Sequence, residues 1–385
     1  MVHNKAIHGN RIVYLDILKA LAIAMVCTYH LSLLDAQLAW VNPPSVSLEL
    51  QRFVWGMLSP CVPLFFTVTG TLVLSSERTV RFDHHGRKLA RLFVQFLIWQ
   101  ALTMLAIAAW QGVDLRAEGI GTLISALLFN TRGVDVSLHH LWFIPAYIAV
   151  ALILPLFKPL YAKGEESRTA RRYGMILLGL LIATFFVFPD LQRLAHYLGH
   201  RSIVLVKTQA FAPFAGMTGV MFAYALLGGY LSQNAERFKA TPRIVWIVLF
   251  AVGALLLLIR WNCECHLSGK SWDSVYEGYA TTGTLLMTAS LYLLAARIDS
   301  ASIARRHPLL VRATQIASEN SLTVYYLHWI LLYTVWQPIM ALLLPLSPIL
   351  LWFFSILKGL ALVAVCTAFG VVLRKIPGIR FLFRQ

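Results

Sequence analysis

Apolar residues come along this chain in long blocks rather than in strict alternation, so the pattern speaks for helices and not for half-buried strands. Windows close to the roughly 20 residues that cross a bilayer fall at 12–34, 53–76, 90–112, 138–157, 173–189, 209–231, 243–259, 276–296, 317–338 and 348–373. They predict an all-α polytopic membrane protein of ten transmembrane helices. Residues 1–385 are expected to form a single transmembrane domain with no separate soluble domain. The first window follows a short basic stretch and has no small-residue cleavage site behind it, which reads as a retained helix and not a signal peptide. The longest pieces outside the windows are 113–137 and 190–208, and within the first of these "GIGTLISALLFNTRG" reads as a short surface helix.

Composition agrees with this pattern. The 385 residues are 58% hydrophobic and only 13% charged, with a mean hydropathy of +0.69, whereas a soluble domain carries about 25% charged residues. The net charge of +16 changes the picture only through its placement. With the N-terminus inside, 23 of the 33 Lys and Arg fall in the inner segments, 8 fall in the outer ones, and Lys19 and Lys358 lie within windows. The positive-inside rule then puts both termini in the cytoplasm and makes the bilayer, not nucleic acid, the reason for the basic excess.

The five cysteines form no framework. Cys27, Cys61 and Cys366 stand among apolar residues, and Cys263 and Cys265 are too close for an unstrained disulfide between them. With no second pair nearby to complete a ligand set, no metal is expected.

Candidate chemistry begins in "LDILKALAIAMVCTYHL", Leu15 to Leu31, where Asp16, Lys19 and His30 stand inside an apolar run. An ionised side chain in mid-membrane costs about 2.5 to 3.5 kcal/mol on insertion scales, so each needs a partner or a role. At 100° per residue, Lys19 and His30 differ by about 20° and Asp16 and His30 by about 40°, which puts all three on one helix face. Lys19 and His30 are then about 16 Å apart along the axis, Lys19 toward the cytoplasm. An imidazole suits proton transfer; equally, Asp16 and Lys19 can form a structural i,i+3 pair while His30 bonds a carbonyl.

Other candidates follow down the chain. Arg87, Lys88 and Arg91 sit at the cytoplasmic start of the third window, either as anion ligands or as ordinary inner-face anchors. His139, His140 and Trp142 open the fourth at the outer side. Ser318, Ser321, Tyr325 and His328 make one face of the ninth polar, a stripe that fits cavity lining and interhelical hydrogen bonding alike. In "TVTGTL", Thr67, Thr69 and Gly70 are small residues that permit close helix approach, which is favoured here over contact with an acyl chain.

These segments together resemble the acyltransferase-3 family of integral membrane O-acyltransferases. The likeness covers about residues 11 to 375 in the family's order. Lys19 and His30, preceded by Leu15-Asp16, resemble its opening Arg/Lys-x10-His pattern. "VPLFFTVTG" resembles its Pro-Leu-Phe-Phe segment, with Thr69 in place of serine. "RKLAR" is similar to its cytoplasmic Arg-x-x-Arg, with Lys88 at the first position and Arg91 at the second. "HLWFIPAYIAVALILP" resembles its His-Leu-Trp-Phe helix, with Ala151 where an aromatic is common, and "SENSLTVYYLH" its late Ser-Leu-x-x-Tyr-x-x-His helix.

The resemblance implies an acyltransferase that takes acetyl from cytoplasmic acetyl-CoA and delivers it to a hydroxyl of a surface or lipid-linked glycan at the outer face. It implies His30, Lys19 and Asp16 as catalytic candidates and Arg87, Lys88 and Arg91 as ligands for the CoA phosphates. His140, Trp142, Ser321, Tyr325 and His328 are then candidates for acceptor binding. A glycan or small-molecule exporter is the alternative reading, with the polar face of the first window as a permeation path. Against it, the two halves show no inverted repeat and no matched pair of broken helices.

Overall fold

The computed structural model describes residues 12–39, 53–77, 79–129, 138–162, 167–205, 216–269, 272–336 and 348–383. Every regular element among them is helical. In chain order these are α1 (Val13–Ala39), α2 (Cys61–Leu74), α3 (Phe82–Gln111), α4 (Ile120–Phe129) and α5 (Phe143–Ile153). Next come α6 (Arg168–Ile182), α7 (Phe188–Tyr197), α8 (Gly216–Gln233), α9 (Ala235–Lys239) and α10 (Arg243–Ser268). The last are α11 (Thr282–Ala295), α12 (Ser300–Arg306), α13 (Pro308–Glu319), α14 (Ser321–Leu331) and α15 (Pro348–Leu373).

Seven stretches among the described residues are long and apolar enough to cross a membrane: Val13–Leu31, Phe53–Leu74, Phe82–Gln111, His140–Tyr161, Arg168–Tyr197, Arg243–Ser268 and Phe353–Leu373. The windows at 209–231, 276–296 and 317–338 coincide instead with α8, with the 14-residue α11, and with α14 followed by a π-helical turn at Leu332–Trp336. The expected short helix in "GIGTLISALLFNTRG" is α4. Its Ala126 carbonyl accepts a hydrogen bond from Gln100 on α3.

The chain divides into two compact units. The first comprises residues 1–22, 45–79 and 153–315, the second 23–44, 80–152 and 316–385. The single helix α1 supplies its first turns to one and its remainder to the other.

In the first unit, helices meet backbone to backbone. A Cβ on Gly70 would strike the Ala225 carbonyl, and a Cβ on Gly228 would strike the Thr67 carbonyl, so α2 and α8 touch at both glycines. Gly253 and Gly283 bring α10 and α11 together in the same way. Small residues allow this approach, and dispersion contacts then hold the pair where lipid offers no hydrophobic drive between helices. The approach also lets Thr71 Oγ1 donate 3.0 Å to the Gly228 carbonyl while its oxygen lies 2.9 Å from the Tyr292 hydroxyl. Tyr292 is 3.2 Å from the Tyr14 hydroxyl. Of the small residues named in "TVTGTL", Gly70 and the Thr67 backbone make the expected close helix approach.

A partly buried ion network fixes the other side of this unit. Pro189 cannot donate to the turn before it, and a π-helical turn at Ala183–Val187 absorbs the mismatch ahead of α7. Arg260 on α10 donates 2.8 Å to the Pro189 carbonyl and 3.0 Å to Asp190, and it pairs with Glu264 at 2.6 Å. Glu264 also pairs with Arg193 at 2.8 Å. Asp190 accepts from the Thr282 backbone N–H at 2.8 Å, in the first turn of α11. Because α10 runs to Ser268, Arg260 and both Cys263 and Cys265 stand on this helix rather than in an outer loop; neither cysteine is in a disulfide.

In the second unit, α15 lies against α1 at Gly359, where a Cβ would meet Thr28, and against α14 at Gly370, where it would meet Thr323. The 3-10 turn at Arg380–Phe383 is held by α3: Gln95 donates to the Phe381 carbonyl and Trp99 Nε1 to that of Leu382, at 3.2 Å for the latter. Trp99 also stacks on Tyr326, with centroids 5.1 Å apart and planes 6° apart. Arg374 fastens the same turn by donating 2.8 Å to the Phe383 carbonyl and 2.6 Å to that of Glu319.

Candidate active site

The second unit brings three of the singled-out histidines around one tryptophan. His140 stacks on Trp329 with centroids 4.4 Å apart and planes 14° apart. His30 meets the same ring edge-on at 4.9 Å and 86°. His328 lies 5.3 Å from His30 and 5.6 Å from His140. The three imidazoles come from α1, from the 3-10 turn His139–Trp142 that leads into α5, and from α14.

Local structure explains how each is presented. On α14, Ser321, Tyr325 and His328 recur at helical spacing, and Trp329 follows Tyr325 by four residues, so the aromatic pair shares one face. The Tyr325 hydroxyl donates to the His140 carbonyl, and its ring packs on Phe143 at 5.2 Å. This ties the turn carrying His140 to α14. His140 and His328 are buried, whereas His30 is partly exposed at its rim.

The hydrogen bonds fix one proton. His328 Nδ1 lies 3.0 Å from the Val324 carbonyl, and because a carbonyl only accepts, Nδ1 carries the hydrogen. In the neutral ring the lone pair is then on Nε2, which is buried with no hydrogen-bond partner among the described residues, as is Nδ1 of His30. The His328 lone pair and the unpartnered His30 Nδ1 thus belong to rings 5.3 Å apart in aromatic surroundings, where a substrate hydroxyl has something to bond to and little water to compete.

The remaining candidates take other places. Ser321 is buried on the same face of α14, about 10 Å along the axis from His328. Trp142 is half-buried at the end of the 3-10 turn. Asp16 is buried and Lys19 half-buried on the part of α1 that belongs to the first unit. Arg87, Lys88 and Arg91 are exposed on the first turns of α3, and Arg87 pairs with Asp83 at 3.0 Å. His85 donates 2.8 Å to the Ala151 carbonyl and so ties this end of α3 to α5. Trp329 is the one member of the cluster that sequence reasoning passed over. Its spacing from Tyr325 was the available signal, hidden because a tryptophan in an apolar helix is ordinary.

Comparison with curated proteins and with solved structures finds no match. A family model described as an acyltransferase domain matches residues 12–369, nearly the whole chain, and takes in all of the residues above. With seven apolar helices of spanning length among the described residues, this is an integral membrane protein. The chain belongs to the acyltransferase-3 family, whose members transfer acyl groups.

Proposed function

We propose that this protein is an O-acetyltransferase of the bacterial inner membrane, moving acetyl from cytoplasmic acetyl-CoA to a hydroxyl of a surface or lipid-linked polysaccharide at the outer face. The observation that carries this reading is the convergence of His30, His140 and His328 on Trp329. Ten spanning helices with both termini cytoplasmic go with it, supported by the ten apolar windows and the inward bias of Lys and Arg.

In this reading His30 is the general base. It takes the proton as the acceptor oxygen attacks the thioester carbonyl; the C–O bond forms, the C–S bond breaks, and the proton passes to the departing CoA thiolate. His328, with its lone pair on Nε2, and Tyr325 hold the acceptor beside Ser321, and His140 and Trp142 contact the sugar or the developing oxyanion. Lys19, steadied by Asp16 and about 16 Å inward of His30, contacts the pantetheine arm of the donor. Arg87, Lys88 and Arg91 bind the CoA phosphates, for which guanidinium groups are suited because they stay charged and pair bidentately.

The test is transfer of labelled acetyl from acetyl-CoA in membranes, read with mass analysis of the surface glycan. His30→Ala is expected to lower the rate by about 100-fold or more at equal protein level. Unimpaired transfer removes His30 as the base. A surface glycan that is unchanged in a deletion strain removes the polysaccharide acceptor.

A further inference from the structure

A hollow of about 350 Å³ lies in the first unit, where the end of α8 meets the start of α6 and the 3-10 turn Leu154–Tyr161. Its walls are sorted by chemistry. Leu160, Met175 and Leu178 form the apolar side, opened by Gly174, where a Cβ would press on Leu160 at 3.1 Å. Arg171, Gln233 and Asn234 also line it, and no acidic side chain lines the hollow among the described residues. Arg171 is held in place by donating 3.1 Å to the Ala162 carbonyl. Gln233 and Asn234 donate through their amide nitrogens to the Tyr161 and Tyr230 carbonyls, which leaves their amide oxygens as the acceptors there.

Position narrows the occupant. The hollow sits at the first turns of a spanning helix, level with Arg168 and Arg172, which is headgroup depth. On the same turns Met175, which lines the hollow, is 49% exposed. A ligand can thus enter sideways from the bilayer. A hollow of about 350 Å³ suits a headgroup and not an acyl chain. A cation beside hydroxyl acceptors matches a phosphodiester that carries free hydroxyls.

We propose that this hollow binds the headgroup of an anionic, hydroxyl-bearing phospholipid of the surrounding bilayer, phosphatidylglycerol in type. Arg171 takes the phosphate, the Gln233 and Asn234 oxygens take the glycerol hydroxyls, and the acyl chains leave past Met175. Basic pockets between spanning helices bind anionic headgroups by the same chemistry.

The intact protein in neutral detergent, titrated with phosphatidylglycerol and followed by native mass spectrometry and melting temperature, tests this. Wild type is expected to retain the lipid and to melt several degrees higher with it, by binding linkage; phosphatidylcholine should give neither effect. Arg171→Gln should weaken phosphatidylglycerol about fivefold to tenfold, Asn234→Ala about threefold, and Arg172→Gln, just outside the hollow, less than twofold. Should Arg171→Gln fail to fold, Asn234→Ala against Arg172→Gln decides. The proposal is overturned if phosphatidylcholine binds equally, if Arg172→Gln weakens binding as much as the variants inside, or if inorganic phosphate alone reproduces the shift, which would make the ligand a soluble anion.

Discussion

The α2–α8 contact of the first unit and the histidine cluster of the second are both buried meetings of helices far apart in sequence, and they are built in opposite ways. At the first, two glycines let backbones touch, and the polar groups present are paired: Thr71 with Gly228, Tyr292 with Thr71, Tyr14 with Tyr292. At the second, aromatic rings meet, and His30 Nδ1 and His328 Nε2 have no hydrogen-bond partner among the described residues. A polar group buried without a bond costs stability. Where that cost is tolerated, chemistry is the ready explanation; where it is absent, the contact serves the fold.

The largest expected effect breaks the first half of this comparison. Gly70→Leu places a side chain inside the Ala225 backbone and should abolish the monodisperse peak of detergent-extracted protein in size-exclusion chromatography. Gly70→Ala should already cost about 3 kcal/mol or more, since backbone cannot repack around it. A well-folded Gly70→Leu protein would mean that α2 and α8 do not meet there.

Next in size, His328→Asn keeps a donor toward the Val324 carbonyl but has no basic nitrogen. It is expected to lower acyl transfer about 100-fold while the melting temperature moves little, measured as initial rates in membranes normalised to protein. Full activity would demote His328 to packing. The first unit's ion network supplies a third measurement: Asp190→Asn strips the charge that faces Arg260, and about 2 to 3 kcal/mol of stability should go with it, read from thermal unfolding in detergent. Thr71→Val, nearly isosteric, removes one paired hydroxyl for about 1 kcal/mol. Smallest of all, Arg87→Gln breaks an exposed pair with Asp83 and should shift stability by under about 0.5 kcal/mol. A raised acetyl-CoA requirement in that variant would be the signature of donor binding.

What was readable from sequence follows from what periodicity encodes. Long apolar blocks mark helices because each residue contributes to its own helix's solvation, and the blocks beginning at 12, 53, 173, 243 and 348 all hold helices of spanning length. Their ends were less legible. Apolar windows stopped at 189 and 259, while the helices continue to Tyr197 and Ser268, because Asp190, Arg193, Arg260 and Glu264 neutralise one another across two helices. Hydropathy counts such residues singly and cannot see the pairing. The same limit applied at the candidate site. One-face arithmetic picked out His30 and the stripe ending in His328, yet their meeting joins positions some 300 residues apart and depends on Trp329, a residue with nothing unusual in its own helix.

The double glycine contact has a consequence for how this fold can vary through descent. Neither Gly70 nor Gly228 has room for a methyl group, and each is blocked by the other helix's backbone, not by a side chain that a second substitution could shrink. No pair of single steps leads away from it: the first step is lost before a compensating one can arise. A relative that lacks both glycines must therefore hold these two helices farther apart and must have replaced the Thr71 bond with another, so this pair is a better marker of shared helix geometry than the motifs that carry the chemistry.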